Sequence, residues 1–303
     1  MRTSAIGSEV RDVMSRALSA HNPSGSPTEP HLAAALTDAV TRPGRLARSE
    51  LALQAASRHG VRPEAGEQLA CALEFWHQAS LILDDLPCMD DADQRRGRRC
   101  IHRTHGEATA ILTALALINR AYSLVQRAYL PESAEVRETA ANLVDRALGA
   151  SGMLCGQAWD LRFSVGSRLA RDVGRIAERK TGSLLWLALS LPVLPSGLWS
   201  QERRPLRALS VYWSLAFQAM DDLLDVTAPA NVADKTTGRD AALDRPNLTI
   251  ALGAPLCRLR IVRCLSLAER QLQALCRRDA KWTYLADWHE RWFLARYRLL
   301  VAA

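Results

Sequence analysis

Aromatic residues and strand-forming runs are scarce in this chain of 303 residues. Only 6% of the residues are aromatic, and stretches rich in valine, isoleucine and threonine are nearly absent, which argues against a β-sheet protein. Alanine, leucine and arginine dominate instead, and they favour helix. Because 48% of the residues are hydrophobic, the chain can bury a large core, and we predict an all-α protein.

The chain also lacks the patterns of disulfide scaffolds, zinc sites and membrane spans. Its seven cysteines are odd in number and show no CxxC spacing, which indicates reduced thiols. The N-terminus has no apolar core of the signal-peptide type. The most apolar stretch, 184–194, is shorter than the about 20 residues that a bilayer requires. We therefore expect a cytoplasmic protein without a transmembrane segment.

The net charge of +7 and the pI of about 9.3 are compatible with nucleic acid, an acidic membrane or a small polyanion as partner. The basic residues are scattered, and no zinc-finger or basic-region pattern occurs, so we predict no nucleic-acid binding.

Periodicity and breaker residues predict a single all-α domain over 1–303, in which 1–30 form an N-terminal helix and linker. The predicted helices are 4–20, 31–40, 51–59, 64–86, 106–128, 132–150, 152–164, 167–191 and 206–226, followed by two or three more near the end. Loops are predicted at 21–30, at 191–205 with its three prolines, and at 228–246.

Two groups of aspartates each follow an apolar helical run. The first group lies in HQASLILDDLPCMDDADQRR and the second in FQAMDDLLDV; their members are Asp84, Asp85, Asp90, Asp91 and Asp93, and Asp221, Asp222 and Asp225. Carboxylates at a helix C-terminus are unfavourable unless a cation offsets them. Magnesium prefers oxygen ligands and binds one or two carboxylates together with phosphate, whereas no histidine or cysteine spacing suits zinc. We predict that magnesium joins both groups to one diphosphate; a solvated acidic loop is the alternative.

Basic side chains lie near both groups in the sequence. Arginine and lysine hold phosphate groups well, and the candidates are Arg95, Arg96, Lys180, Lys235 and Arg239. For Arg98 and Arg99 we predict surface pairs with local aspartates.

The run LILDDLPCMDDADQRRGR followed by GEATA resembles the first aspartate-rich motif of trans-isoprenyl diphosphate synthases, and FQAMDDLLDV resembles the second. The resemblance spans about 31–260, with the motifs in family order, and is greatest to bacterial geranylgeranyl diphosphate synthases of the carotenoid type. It implies an isoprenoid-synthase fold of ten or more helices around a central apolar cavity, usually in a homodimer.

The resemblance also implies roles for individual residues. The magnesium ligands, with three ions around the bound diphosphate, would be Asp84, Asp85, Asp90, Asp221, Asp222 and Asp225. The residues at the allylic diphosphate would be Arg95, Lys180, Thr181, Gln218 and Lys235. Those at isopentenyl diphosphate would be Arg45, Arg48, His77 and Arg96. The catalytic set would be Asp84, Asp85, Lys180, Asp221 and Asp222.

Helical spacing bears on His77 and on product length. A lone histidine on an apolar helix is usually a core residue, but His77 precedes Asp84 by two turns, on the same face, which with the motif favours an isopentenyl contact. The tail of the product would run down the helix past Ala79 and Ser80, which are small. By analogy with the family, we expect a product of about twenty carbons, and we interpret Trp76 as a core residue.

Several positions depart from the family pattern. Pro43-Gly44-Arg45-Leu46-Ala47-Arg48 replaces Gly-Gly-Lys-x-x-Arg, and Ala114-Leu115 replaces Gly-Asp. Arg239 and Arg245 stand in place of lysines. Each change keeps a charge or removes a secondary polar group, and none touches the six motif aspartates.

The predicted function is condensation of isopentenyl diphosphate with dimethylallyl, geranyl or farnesyl diphosphate to geranylgeranyl diphosphate, by magnesium-assisted ionisation. One alternative is a non-catalytic modifying subunit of a prenyl synthase. A second is a class I terpene cyclase, which usually pairs one aspartate motif with an Asn/Ser/Glu metal motif. A third is a structural helical bundle with acidic faces.

Overall fold

The computed structural model describes residues 2–25, 27–163, 169–227 and 245–302. The chain divides into two compact units, Met1–Arg137 and Glu138–Ala303, and each is described by itself. That they form one domain stays a prediction.

The first unit is helical, as predicted. Its helices are α1 (Arg2–Ala20), α2 (Pro30–Val40), α3 (Ala47–Arg58), α4 (Pro63–Asp84), α5 (Ile101–His105) and α6 (Glu107–Tyr129). The core lies around α4, which packs against α3 and α6. Since α4 is buried on nearly every side, its apolar run reads as a core helix rather than an amphipathic one.

A two-stranded hairpin interrupts the helices of this unit and was not expected from the sequence. Strands β1 (Gln94–Arg95) and β2 (Arg98–Arg99) pair antiparallel, and they are the only strands in the described ranges. The turn residues Arg96 and Gly97 have φ of 54° and 73°, as a two-residue hairpin loop of right-handed twist requires.

The second unit is also helical. It contains most of α7 (Ala134–Leu148), then α8 (Met153–Leu161), α9 (Ala170–Lys180), α10 (Gly182–Ser190), α11 (Trp199–Thr227), α12 (Leu248–Leu252), α13 (Ala254–Arg278), α14 (Thr283–His289) and α15 (Ala295–Ala302). Short 3-10 turns span Leu191–Ser196 and Ala280–Trp282, and a π-helical turn spans Glu290–Leu294. Helix α11 packs on α13, and Trp213, Trp288 and Phe293 form a fully buried aromatic cluster beside it.

Two sequence predictions in this unit are wrong. The single helix expected over 167–191 is divided, because α9 ends at Lys180 and α10 begins at Gly182. The loop expected over 191–205 is largely helical, since α11 begins at Trp199 and contains Pro205. Buried Glu202, which pairs with Arg278 at 3.1 Å, anchors the start of α11 on α13 and outweighs the proline signal.

One described helix, α6, is long and apolar enough to cross a membrane by length and composition alone. Only 39% of its most apolar window is buried inside the protein, and the core helix of a soluble protein passes the same test. The sequence prediction of no transmembrane segment was based on a different stretch, 184–194.

Candidate active site

The hairpin fixes Arg95 on the carboxylate of Asp85. Arg95 Nε donates to both oxygens at 2.8 and 3.0 Å, and its Nη2 donates at 2.6 Å. Asp85 caps α4 and is 4% exposed. Burial by itself would lower the pKa of Arg95, but hydrogen bonds to Asp85 and the charges of Asp85 and Asp84 raise it overall. A permanently charged guanidinium therefore lies beside the first acidic group.

The chain turns back over the end of α4 and brings Asp90 beside Asp84. The amide of Asp90 donates to the carbonyl of Asp84 at 2.9 Å, and the amide of Ala92 donates to that of Asp85 at 3.1 Å. These bonds satisfy carbonyls that a helix end leaves open. Asp84 and Asp90 are both half-buried; that they bind magnesium stays a prediction.

The other two aspartates of the first group point to a different partner. Arg103 binds Asp91 at 2.8 Å and Asp93 at 2.9 Å, in an exposed cluster. The predicted pair between Arg98 and a local aspartate is wrong, because Arg98 pairs with Asp38 on α2 at 3.2 Å. Arg98 lies on β2, across the hairpin turn from Arg95.

Arg96, at the hairpin turn, reaches the Pro43–Arg48 loop. A Cβ atom on Gly44 would overlap the Arg96 guanidinium, so a larger residue there would push the guanidinium away from this loop. Burial, together with the charges of Arg95 and Arg45, lowers the pKa of Arg96, against the opposing charge of Glu74. The structure thus brings together Arg45 and Arg96, two of the residues predicted to bind isopentenyl diphosphate.

Helix α4 carries the third, His77, on the face of Glu74. Glu74 is 2% exposed and lies one turn before half-buried His77. Arg48, the fourth, begins α3 and is also half-buried. All four residues predicted for this substrate belong to the first unit.

The second acidic group lies near the end of α11, and its three members differ in surroundings. Asp222 is fully buried; its Oδ1 accepts from Gln218 Nε2 at 2.8 Å and its Oδ2 from the amide of Leu248 at 2.7 Å. Asp221 is 31% exposed in its side chain and pairs with Arg296. Asp225 Oδ2 is buried and forms no hydrogen bond with any described residue. Asp222 thus joins α11 to α12, while Asp221 and Asp225 share a neighbouring face.

Lys180 and Thr181 lie where the predicted long helix breaks. Lys180 Nζ donates to Asp160 on α8 at 2.7 Å, and Arg245 lies 4.0 Å from the same carboxylate. Gly156 permits the close approach, because a Cβ there would lie 2.5 Å from the amide of Lys180. The break between α9 and α10 therefore places the Lys180 side chain beside the buried carboxylate of Asp160.

A polar chain continues from the break to the second acidic group. Thr181 Oγ1 donates to Gln218 Oε1 at 3.3 Å, and Gln218 in turn donates to Asp222. Three of the predicted allylic-site residues are thus held in one unit. Lys235 and Arg239 lie outside the described residues.

The residues predicted to set product length lie on α4. Ala79 is fully buried, and the hydroxyl of Ser80 donates to the carbonyl of His77 at 2.8 Å, so it adds no polar group to an apolar path. Trp76 is 2% exposed and meets Tyr122 of α6 edge-on at 5.3 Å, which agrees with its interpretation as a core residue.

The carboxylates fit magnesium rather than a metal enclosed by protein. In the described ranges no three histidine, cysteine, aspartate or glutamate side chains converge on one point. Magnesium needs no such cage, because it takes one or two carboxylates, water and substrate phosphate. Asp225 Oδ2, which is buried and hydrogen-bonded to nothing in the described part of the chain, is the kind of group that a cation would satisfy.

Sequence reasoning missed Asp38, Glu74, Asp160 and Arg296. Glu74 and Asp160 had a signal, since each is an acid inside an apolar helix and buried acids need partners. Asp38 and Arg296 had none, because their partners are distant in sequence.

Comparisons with known proteins show the family to which the chain belongs. A family model described as polyprenyl synthetase matches residues 29–258. The geranylgeranyl diphosphate synthase of Pantoea ananas is 34% identical over 264 residues, 85% of this chain and 84% of that protein. The farnesyl diphosphate synthase of Bacillus subtilis is 33% identical over 215 residues, 70% and 73% of the two chains.

Solved structures confirm the isoprenoid-synthase fold. An FPP/GFPP synthase from Zymomonas mobilis aligns with a TM-score of 0.83 over 96% of this chain and 99% of that one, at 24% identity. A geranyltransferase from Helicobacter pylori, complexed with magnesium and isoprenyl diphosphate, aligns with a TM-score of 0.78 over 98% of both chains, at 25% identity.

Proposed function

Because the chain belongs to the polyprenyl synthetase family, we propose that it condenses isopentenyl diphosphate with an allylic diphosphate and releases geranylgeranyl diphosphate. It is a transferase of prenyl groups, like the geranylgeranyl and farnesyl diphosphate synthases to which it is similar. The observation that supports this most is the Arg95–Asp85 pair, which fixes a cation at the first acidic group.

The two acidic groups are proposed to bind magnesium with the allylic diphosphate. Asp84, Asp90, Asp221 and Asp225 are the preferred ligands, while Asp85 and Asp222 position their neighbours through the bonds described above. When bound, magnesium stabilises the negative charge that develops on the leaving diphosphate. The family resemblance implies three ions.

The basic residues are proposed to divide between the two diphosphates. Arg95, Lys180, Thr181, Gln218 and Lys235 serve the allylic substrate, and Arg45, Arg48, His77 and Arg96 serve isopentenyl diphosphate. Fixed cations of this kind need no reorganisation as charge develops in the transition state. Holding both substrates in line replaces a bimolecular encounter by a reaction within one complex.

The remaining work of the protein is to protect a carbocation. Apolar side chains of α4 keep water from the allylic cation until the double bond of isopentenyl diphosphate attacks it. The proton that is then lost goes to the departing diphosphate, so no protein base is required. Ala79 and Ser80 leave room for the growing tail, which supports a product of about twenty carbons.

An exposed apolar face of α6 supports a homodimer. Ile111, Leu115 and Tyr122 follow one another at helical spacing and are 41%, 54% and 42% exposed, an arrangement typical of an association surface. The departure to Leu115 enlarges this face. The double variant Ile111→Glu/Leu115→Glu should sediment as a monomer, whereas Leu130→Glu, at a position that is 71% exposed, should remain a dimer. A wild-type monomer would refute the proposal.

All seven cysteines are free thiols, which is usual for proteins in a reducing compartment. This supports a cytoplasmic location.

Substitution of one aspartate in each group tests the proposed activity. Asp84→Ala and Asp221→Ala should each reduce turnover by orders of magnitude, because each removes stabilisation of the leaving group. Asp93→Ala is the control, since Asp93 is 81% exposed in its side chain and pairs only with Arg103. Equal rates in all three variants would contradict the metal roles. Formation of a cyclic hydrocarbon instead of a prenyl diphosphate would favour the terpene cyclase.

A further inference from the structure

The last helix of the protein places a cation on the first aspartate of the second acidic group. Arg296 Nη2 donates to Asp221 Oδ1, and the guanidinium lies over the ring of Phe217, 4.6 Å from its centroid. Both side chains are partly buried, at 18% and 31% exposure. Arg296 therefore contacts a carboxylate oxygen that the proposed function gives to magnesium.

The segment that carries Arg296 is anchored firmly on α11. Trp213 Nε1 donates to His289 Nδ1 at 3.0 Å, and the ring of Phe293 stacks on Trp213 at 5.7 Å. The π-helical turn Glu290–Leu294 follows His289, contains Phe293 and ends two residues before Arg296. Such a turn inserts an extra residue and rotates the helix that follows, and it is frequent at functional sites. Here it precedes the residue that meets Asp221.

A guanidinium and a magnesium ion compete for one oxygen. Magnesium demands near-octahedral oxygen ligands at short distances, and it repels a positive charge held within a few ångströms. A charge-assisted hydrogen bond in a partly buried place is among the stronger polar contacts of a protein. Its loss has to be offset when the metal binds.

We propose that Arg296 holds Asp221 in the metal-free enzyme and is displaced when metal binds, so that it weakens the metal affinity of the second acidic group. This inference rests on the proposed metal role of Asp221. It makes Arg296 a positioning residue, which controls how readily the carboxylate of Asp221 becomes available to the metal when the substrate diphosphate binds.

Metal binding to the full-length protein tests the inference without reference to turnover. Mn²⁺ binding in the presence of inorganic diphosphate is followed by electron paramagnetic resonance for the wild type, Arg296→Met and Arg298→Gln. Methionine keeps an apolar stem over Phe217 but removes the charge. Arg298 lies on the same helix and pairs with Glu290 instead, which makes it a matched control. We expect Arg296→Met to bind Mn²⁺ about five- to tenfold more tightly, with Arg298→Gln unchanged.

The variant Asp221→Ala distinguishes a failure of the proposed metal role of Asp221 from a failure of the Arg296 inference. If it leaves Mn²⁺ binding unchanged, the proposed metal role of Asp221 fails. If it weakens binding but Arg296→Met binds no more tightly than the wild type, the Arg296 inference is overturned and the proposed function stands. Should Arg296→Met lose its helical circular dichroism, Arg296→Lys replaces it, and the weaker bond of a single ammonium should still tighten Mn²⁺ binding; unchanged binding there overturns the inference too.

Discussion

Lys180 ends α9 with its ammonium nitrogen 2.7 Å from Asp160, a carboxylate on α8 that is 8% exposed. This pair fixes a long, flexible side chain at the helix break, where the proposed allylic diphosphate is to be held.

Asp160→Asn should raise the KM for the allylic diphosphate several-fold more than it lowers kcat. The neutral amide of asparagine cannot hold the Lys180 ammonium as the Asp160 carboxylate does. The side chain of Lys180 then loses its conformational entropy only when the substrate binds, which weakens substrate binding. Steady-state kinetics with the two substrates varied in turn gives the answer. Glu178→Gln is the control, because Glu178 lies on α9 with Lys180 but pairs with Arg207. A pure kcat effect would argue against a positioning role.

Gly44→Ala should raise the KM for isopentenyl diphosphate. The new Cβ would overlap the Arg96 guanidinium and push it from the Arg45 loop, while the allylic site keeps Arg95 and Lys180. Gly25→Ala, where an added Cβ meets nothing within 4 Å, should leave both KM values alone. If Gly44→Ala disturbs the two substrates equally, Arg96 does not serve isopentenyl diphosphate selectively.

Ala79→Phe should shorten the product. Ala79 is fully buried on α4, one turn before the acidic group, so an aromatic ring there would close the path of the tail. Mass spectrometry should show fifteen-carbon product in place of twenty. Ser80→Ala is the control, since the Ser80 hydroxyl is turned onto its own helix. The same product from Ala79→Phe as from the wild type would refute the tail path.

Stability should fall below pH 6.5 because of His289. Burial lowers the pKa of His289 to about 4, whereas its pKa in the unfolded chain is about 6.5. Between these values the unfolded chain binds a proton that the folded protein does not, so stability decreases as pH falls. At pH 5 the loss amounts to about 2 kcal/mol.

Urea unfolding at pH 7 and pH 5 measures that loss. His289→Asn keeps an acceptor for Trp213 but does not titrate, so its stability should change less between the two pH values. Parallel pH profiles for the variant and the wild type would mean that His289 does not titrate as described.

Local patterns predicted most of the helices and both acidic groups, because helix boundaries and motif residues depend on neighbours in sequence. The hairpin was not predicted, because its strands are only two residues long and show no alternating pattern; the one local signal is Arg96-Gly97 at its turn. The early start of α11 depended on the distant Glu202–Arg278 pair, against a strong proline signal. The distinction between Asp222 and its neighbours arises from α12, and the Arg296 contact from a helix 75 residues away. Neither of these two tertiary contacts produces a periodic pattern in the sequence from which it could be predicted.

The most direct test of the central claim is product analysis by mass spectrometry. Purified protein is incubated with Mg²⁺, isopentenyl diphosphate and, in turn, dimethylallyl, geranyl or farnesyl diphosphate, with EDTA in parallel. Our account predicts geranylgeranyl diphosphate in the presence of Mg²⁺ and none with EDTA. Failure to elongate any of the three starters would contradict it and would favour a non-catalytic subunit.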